Sequence, residues 1–450
     1  MEHPTDTRIP SPVVAVPVPA ASRLKVIDML RGVALLGILL INIPGFAMPD
    51  YFSERFAGDT ANPNFWVSAV VTVLVEGKMR ALFGMVFGAG VLLFALKKEQ
   101  TGRPVHGLFY RRMSWLVLFG VLHAHLLLWF GDILFLYGIC GMLVYLFRNV
   151  KPVYLVMFVP LVAVLDFSAN TMFYQSIRSA RIEYVEAVNA QSQGRELTDG
   201  QTRALAAWRE IEKTIIPNRK DVEENTRKMK SDYGTVATRV RPLALEMETK
   251  LLPFMVFDSL ALMLLGAGLF KWGFLAGNWS RERYRMVALV GYGIGLPLVI
   301  YSYHHNVVHY PNVETALREM EAVPVNWVGL IYPFQRILLV LAHVSMLILL
   351  YRSAILQRLF RRLEAVGQMA FTNYLMHTVM CSLIFFGYGL NQFGEWQYYH
   401  ICLVAAAIWA FQLIVSPLWL RAFNFGPLEW LWRMLTYWRV PAMRRTPLSA

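Results

Sequence analysis

Residues 23–45 read RLKVIDMLRGVALLGILLINIPG. This is the first long apolar run of the chain, and it carries charges that lipid does not favour. An α-helix turns about 100° per residue. On that wheel Asp28, Arg31 and Asn42 fall within roughly 60° of one another, with Leu35 and Leu39 on nearly the same face. Asp28 and Arg31 are three residues apart, so their side chains can meet. Arg23 points elsewhere. The helix therefore has one polar stripe, from an ion pair near its start to an amide near its end. Such a stripe is expected to face other helices or a wet cavity. The plainer alternative is a charge cluster snorkelling to the headgroups, plus an Asn bonded to a neighbouring helix. Asp28 and Asn42 are expected to be structural.

Outward from this stretch the composition is apolar throughout. Of 450 residues, 56% are hydrophobic and only 16% charged. Soluble proteins carry about a quarter charged residues, and several runs here reach the length that spans a hydrocarbon core. The expected fold is all-α, a polytopic membrane bundle of about ten transmembrane helices with one soluble helical excursion. The net charge of +13 points to basic cytoplasmic loops rather than to nucleic acid. Cys140, Cys381 and Cys402 all sit in apolar runs and read as core residues, not as a disulfide or metal site.

In chain order, residues 1–22 read as a disordered cytoplasmic tail, with Ser22 as an N-cap. Helices 1–5 of the N-terminal bundle occupy 23–171. The second of them is a long, kinked helix over 65–96, in which Gly84 and Gly88 stand at GxxxG spacing for close helix contact. The third covers 114–130 and turns tightly at Gly131–Asp132 into the fourth. Residues 172–250 change character: charges of both signs replace apolar runs, and Pro217 and Pro242 are expected to break the water-exposed helices. Residues 251–438 hold spans six to ten, and 439–450 form a basic tail. Loops rich in Lys and Arg alternate with poor ones. That alternation puts both termini in the cytoplasm and residues 172–250 outside.

Five blocks of sequence resemble the YeiB-like family of bacterial membrane proteins, catalogued as a domain of unknown function. Arg23, Asp28, Arg31, Gly32 and Asn42 match its opening helix. GKMRALFGMVFGAG (77–90) matches its second block, although GM replaces the usual SL. GQMAFTNYLMHT (367–378), FFGYGLNQFG (385–394) and VSPLWLRAFNFGPLEWLWR (415–433) match its ending. Gln368 stands where the family carries Arg, and His377 where it carries Gln. The resemblance implies a bacterial inner-membrane protein distantly similar to membrane acyltransferases, with acyl-CoA as co-substrate and no tightly bound cofactor.

The candidate chemistry lies in a few polar residues. His123 and His125, in FGVLHAHLLLWFGDIL (119–134), point about 200° apart, so they cannot share a metal. The family pattern selects His123 and Asp132 as the catalytic pair, with imidazole as a general base. Arg336 sits deep in an apolar run beside Pro333 and needs a partner or a wet cavity. Asp258 is a candidate counter-ion for an Arg on another helix. Asn373, His377 and Cys381 form a stripe at four-residue spacing. Arg31, Arg80, Arg336, Asn373 and His377 are the expected substrate-binding groups. No Walker, dinucleotide-binding, HExxH or CxxC pattern is present. The readings left open are acyl transfer to an envelope acceptor, transport of a small anionic solute, and a scaffold whose excursion binds a partner. The expected partners are the bilayer and a small-molecule substrate, with homo-oligomerisation open.

Overall fold

The computed structural model describes residues 24–49, 59–99, 105–215, 219–353 and 355–445. The N-terminal tail, the Ser22 cap, Arg23, Pro217 and residues 446–450 lie outside these ranges. The chain builds helices α1 (Lys25–Ala47), α2 (Pro63–Leu74), α3 (Lys78–Glu99), α4 (His106–Leu126), α5 (Leu134–Leu146) and α6 (Pro152–Ser192). Then come α7 (Asp199–Ile215), α8 (Arg219–Met229), α9 (Tyr233–Thr249), α10 (Leu252–Lys271), α11 (Arg281–His309) and α12 (Val313–Ala322). The last are α13 (Val328–Arg352), α14 (Gln357–Gln368), α15 (Ala370–Phe385), α16 (Tyr398–Ala422) and α17 (Pro427–Tyr437). Among the described residues the only β-contact is one isolated antiparallel bridge, Phe423 with Arg444. The fold is an all-α membrane bundle.

Seven segments of the described residues are long and apolar enough to cross a membrane: α1, α2 with α3, α6, α10, α11, α13 and α16. The other three expected spans coincide with α4, α5 and α15. The helices α5 and α15 are shorter apolar helices, and α4 carries Arg111, Arg112, His123 and His125, which lower its apolarity. Helix α6 has 41 residues, so at 1.5 Å per residue it extends about 60 Å. That is twice a hydrocarbon core of about 30 Å, so half of it must stand clear of the bilayer. Its first half leaves Tyr154, Met157, Leu161 and Leu165 exposed, as a lipid-facing surface should. It runs through residue 171 without a break, directly into the charged region.

Three sequence expectations need correction. The expected long second helix is two: α2 stops at Leu74, Gly77 takes φ +73°, and α3 starts at Lys78. The third helix ends at Leu126 rather than near residue 130, and Leu128 adopts φ 58° in the turn that follows. Pro242 does not break a helix but sits inside α9. An interior proline costs about 3 kcal/mol. Here Val236, Ala237, Val240 and Ala244 bury the same helix against the bundle and offset that cost.

Lipid gives apolar helices little reason to associate, so close backbone packing must do it. At two crossings it does. A Cβ on Gly32 of α1 would meet the Leu363 carbonyl oxygen of α14, and one on Gly367 would meet the Asp28 carbonyl oxygen. Between α3 and α10, Gly88 lies against the Met263 carbonyl and Gly266 against the Met85 carbonyl. The GxxxG expectation is thus met through Gly88, with α10 as the partner.

The basic loops gather at one end of the bundle. Lys271 Nζ donates to the Arg148 and Val150 carbonyls at 2.7 and 2.6 Å, Arg352 donates to the Trp279 carbonyl at 2.8 Å, and Trp432 Nε1 donates to the Arg112 carbonyl at 2.9 Å. At the opposite end α9 is tied down by Tyr233 to the Leu126 carbonyl at 2.8 Å and by Arg241 to the His125 carbonyl at 3.0 Å.

These crossings set an expectation. Gly32→Leu must push a side chain into the α14 backbone, and overpacking of this kind costs about 1–3 kcal/mol. The purified protein should melt at a lower temperature. Gly293→Leu, at a glycine with open space around it, should melt like the wild type. Equal melting of the two variants would reject the crossing.

Candidate functional site

The head of α1 forms the expected ion pair. Arg31 Nη1 donates to Asp28 Oδ1 at 2.8 Å and lies 3.4 Å from the Gly367 carbonyl. The Asp-x-x-Arg-Gly sequence thus has one job in three parts: pair, reach across, and leave room for the α14 backbone. Both charged residues also line a cavity of about 280 Å³ between α1, α3, α4, α5, α14, α15 and α17. Asn42 is half-buried further along α1 and does not line that cavity.

The second constellation is built on the turn after α4. Residues 127–133 carry the chain back so that Asp132 Oδ1 stands 2.7 Å from His123 Nδ1. Asp132 Oδ2 accepts the Phe135 backbone N–H at 2.8 Å, which holds the carboxylate at the start of α5. On the other side of the ring, His123 Nε2 is 2.8 Å from Thr378 Oγ1 of α15. A carboxylate at Nδ1 favours the Nδ1–H tautomer. Nε2 then accepts the Thr378 hydroxyl proton. Both ionisable side chains are essentially inaccessible. The Tyr374 ring packs edge-on against the His123 ring with centroids 5.1 Å apart. Tyr374 also lines the cavity, so its phenol is the wall between the cavity and the imidazole.

His125 goes elsewhere, as its wheel position requires. Its Nε2 meets Glu248 Oε2 of α9 at 2.9 Å.

The third constellation answers the Asp258 question. Arg80 Nη2 donates to Asp258 Oδ2 at 2.8 Å, and Arg336 Nη1 donates to the same oxygen at 3.1 Å. Arg336 Nη2 donates to Asp258 Oδ1 as well. One carboxylate from α10 thus serves two guanidiniums, from α3 and α13. Arg336 is 4% exposed, and its Nε has no partner. His343 shares the Arg336 face of α13 and meets the Leu74 carbonyl at 2.9 Å, next to the α2–α3 break.

Asn373 and His377 lie in a fourth group, a ladder between α15 and α16. Asn373 Nδ2 donates to the Val366 carbonyl at 3.1 Å and to Ser416 at 3.0 Å. Gln412 Nε2 donates to the Asn373 carbonyl at 3.0 Å, and Gln412 Oε1 is 2.9 Å from His377 Nε2. All of these side chains are buried. The structure therefore brings His123 and Asp132 together. It places Arg31 on the cavity, Arg80 with Arg336 at Asp258, and Asn373 with His377 in helix packing.

Sequence reasoning missed Thr378, Tyr374, Arg112 and Glu429. Tyr374 and Thr378 are four apart on α15, a spacing that could have flagged a shared face. Glu429 is the lone acid among the aromatics of α17. It accepts the Phe371 and Thr372 backbone N–H groups at 2.7 and 3.1 Å and the Thr372 hydroxyl at 2.6 Å, so it caps α15 from another helix. Burial pushes its carboxyl up, while the Thr372 hydrogen bonds pull it down. Among the described residues no group of three His, Cys, Asp or Glu side chains converges as a metal site would require.

A model of the family described as protein of unknown function (DUF418) matches residues 269–439. The uncharacterized protein YxaH of Bacillus subtilis (strain 168) is 30% identical over 425 residues, covering 92% of this chain and 94% of its own length. The chain belongs to the DUF418 family. The uncharacterized protein YeiB of Escherichia coli (strain K12) is 26% identical over 427 residues, covering 91% of this chain and 95% of its own. An uncharacterized 39.9 kDa protein encoded in the amylase 3′ region of Bacillus acidopullulyticus is 24% identical over 442 residues, covering 94% and 96%. No solved structure matches the chain. The similarity to these relatives thus extends over nearly the whole chain. Gln368 lines the cavity.

The ion pairs differ in depth, and their losses should differ too. Removing one partner of a buried pair strands the other charge and costs about 3–5 kcal/mol. Asp258→Asn strands Arg336, whose side chain is 5% exposed, whereas Asp28→Asn strands Arg31, whose side chain is 27% exposed. Unfolding in detergent should show the larger loss for Asp258→Asn. Adding Arg336→Gln should recover part of it. Additive losses, or the opposite order, would reject this account.

Proposed function

We propose that this DUF418 protein transfers an acyl group from cytoplasmic acyl-CoA to a hydroxyl or amine of an envelope acceptor. The observation that carries this reading is the chain Asp132–His123–Thr378. A carboxylate fixes the tautomer, and the free lone pair of Nε2 polarises a hydroxyl. In the reaction the acceptor's O–H or N–H takes the place that the Thr378 hydroxyl occupies at Nε2, which requires the Tyr374 phenol between the cavity and the imidazole to move aside. Its heteroatom forms a bond to the thioester carbonyl carbon, its proton passes to His123, and the carbon–sulfur bond breaks. The thiolate of CoA leaves and recovers that proton. Asp132 steadies the imidazolium between the two transfers. Arg31 supplies positive charge for the donor's phosphates. We also place the protein in the bacterial inner membrane, with both termini cytoplasmic, because the Lys- and Arg-rich loops share one end.

A second reading, transport of a small anionic solute, is favoured by a different observation. The Arg80–Asp258–Arg336 group stands beside the break between α2 and α3, with one carboxylate for two cations. Broken helices next to intramembrane charges are a feature of transport pathways.

Purified protein with labelled acetyl-CoA and an envelope-glycan lysate tests the first reading. General-base assistance contributes about 10²–10⁴-fold, so His123→Ala should lose at least that much turnover per folded, membrane-inserted molecule, beyond any loss of yield from stranding the buried Asp132 carboxylate. His125→Leu should retain activity. Full turnover in His123→Ala would sink the reading. Uptake of a solute into liposomes without transfer, lost on Arg336→Ala, would favour the second reading instead.

Orientation has its own test. Arg209 is exposed on α7 beside the buried Trp208. A cysteine at position 209 should react with a membrane-impermeant reagent from outside the cell, and a cysteine at 445 should not. The reverse pattern would overturn the topology.

A further inference from the structure

The cavity behind Arg31 has a charge arrangement that the ion pair does not explain. Three guanidiniums line it: Arg31, Arg112 and Arg433. Two carboxylates line it as well, and neither meets Arg112. Asp28 is held by Arg31, and Glu429 caps α15. The Arg112 guanidinium lies 3.7 Å from the Trp432 ring centroid and 5.5 Å from that of Phe94. Among the described residues it has no carboxylate partner, and its charged neighbours are Arg433 and Arg31. A guanidinium stacked on an aromatic ring keeps its N–H edge available for a planar or tetrahedral anion. A half-buried guanidinium without a carboxylate partner is well answered by an anionic group that a ligand brings in.

The rest of the cavity is apolar and elongated. Its α3 wall runs from Phe94 to Phe83, eleven residues and so about 16 Å of helix. Gly90 lies beside the Arg31 guanidinium, at 3.9 Å from where its Cβ would stand. Phe87 and Phe83 lie further along α3, where the Tyr137 ring packs against both and Leu116 and Leu134 also line the cavity. The polar groups Arg112 and Arg31 therefore stand at the Phe94–Gly90 end of the α3 wall, with aromatic and aliphatic groups along the rest. A volume of about 280 Å³ is at the small end for ligand pockets, about 300–1,000 Å³. It suits one slender chain rather than two.

We propose that this cavity binds a phosphate-bearing amphiphile with a single alkyl chain, its head at Arg112 and Arg31 and its chain along α3. The chemistry is shared by two sources, a lysophosphatidate-type membrane lipid and a long-chain acyl-CoA. The inference does not rest on acyl transfer, because a transporter or a scaffold could hold the same ligand.

The full-length protein in phosphatidylcholine nanodiscs can be titrated with labelled 1-oleoyl-lysophosphatidate, oleoyl-CoA, oleate and monoolein, with no turnover required. At least one phosphate ligand should bind saturably, about tenfold or more tighter than oleate or monoolein. Preference for the lysolipid assigns the membrane as the source, and preference for oleoyl-CoA assigns the soluble pool. Arg112→Gln should weaken the phosphate ligand by about tenfold or more while leaving any weak monoolein binding unchanged. Gly90→Phe provides the second variant. Only the Arg31 guanidinium lies near its new Cβ, so the ring can enter the void and the protein should fold. It should lose binding of every chain-bearing probe. Monoolein binding as tightly as the phosphate ligands, or wild-type binding in a folded Gly90→Phe protein, would overturn the proposal.

Discussion

A charge inside an apolar bundle must be answered by another group, because the surrounding hydrocarbon offers it nothing. This constraint orders the interior. Asp258 on α10 is answered by Arg80 from α3 and Arg336 from α13, so one carboxylate fixes three helices against one another. Neither of these two pairings is local in sequence. The pair at the head of α1 obeys the same rule in a shallower place. There Arg31 remains partly exposed because it faces a cavity as well as Asp28.

The second constraint is steric. In lipid the gain from association comes from close packing and internal hydrogen bonds. Gly32 with Gly367 and Gly88 with Gly266 bring backbone against backbone. The helices that approach there, α1, α3, α10 and α14, are also the ones that carry Asp28, Arg31, Arg80 and Asp258 or stand beside them. Polar pairs and glycine contacts therefore reinforce each other. The pair needs helices held at short range, and the contact needs a fixed register.

Much of this was legible in the sequence. Apolar runs near twenty residues located the helices, because a membrane span has to satisfy its backbone internally. The Asp28–Arg31 pair followed from i,i+3 spacing, and the separation of His123 from His125 followed from 100° per residue. What was hidden is tertiary or local in backbone conformation. The break at Gly77 depends on a left-handed residue that an apolar window does not register. Pro242 is carried within α9 because burial of Val236 and Val240 offsets it, and burial is invisible to a proline rule. Thr378 lies 255 positions from His123, so no helical wheel could join them. The His123–Asp132 contact was reached only through the family pattern, since a straight helix would have put the two about 180° apart.

Helix α15 links what the other elements keep apart. Ala370 and Tyr374 face the cavity, and Thr378, one turn further, meets the His123 imidazole. At four-residue spacing these three side chains lie along one edge of the helix. The Tyr374 hydroxyl accepts the Ile133 N–H at 3.3 Å, which ties that edge to the turn carrying Asp132. At its N-terminus α15 is capped by Glu429, and Thr372 Oγ1 in return accepts the Leu428 N–H of α17 at 3.1 Å. The cap thus holds the register of α15 from the cavity side, while Tyr374 and Thr378 hold it from the imidazole side. A rotation of α15 about its axis would move the cavity wall and the Thr378 hydroxyl together. One helix thus carries both a wall of the space near Arg31 and the hydroxyl that meets His123, without any direct contact between the two groups.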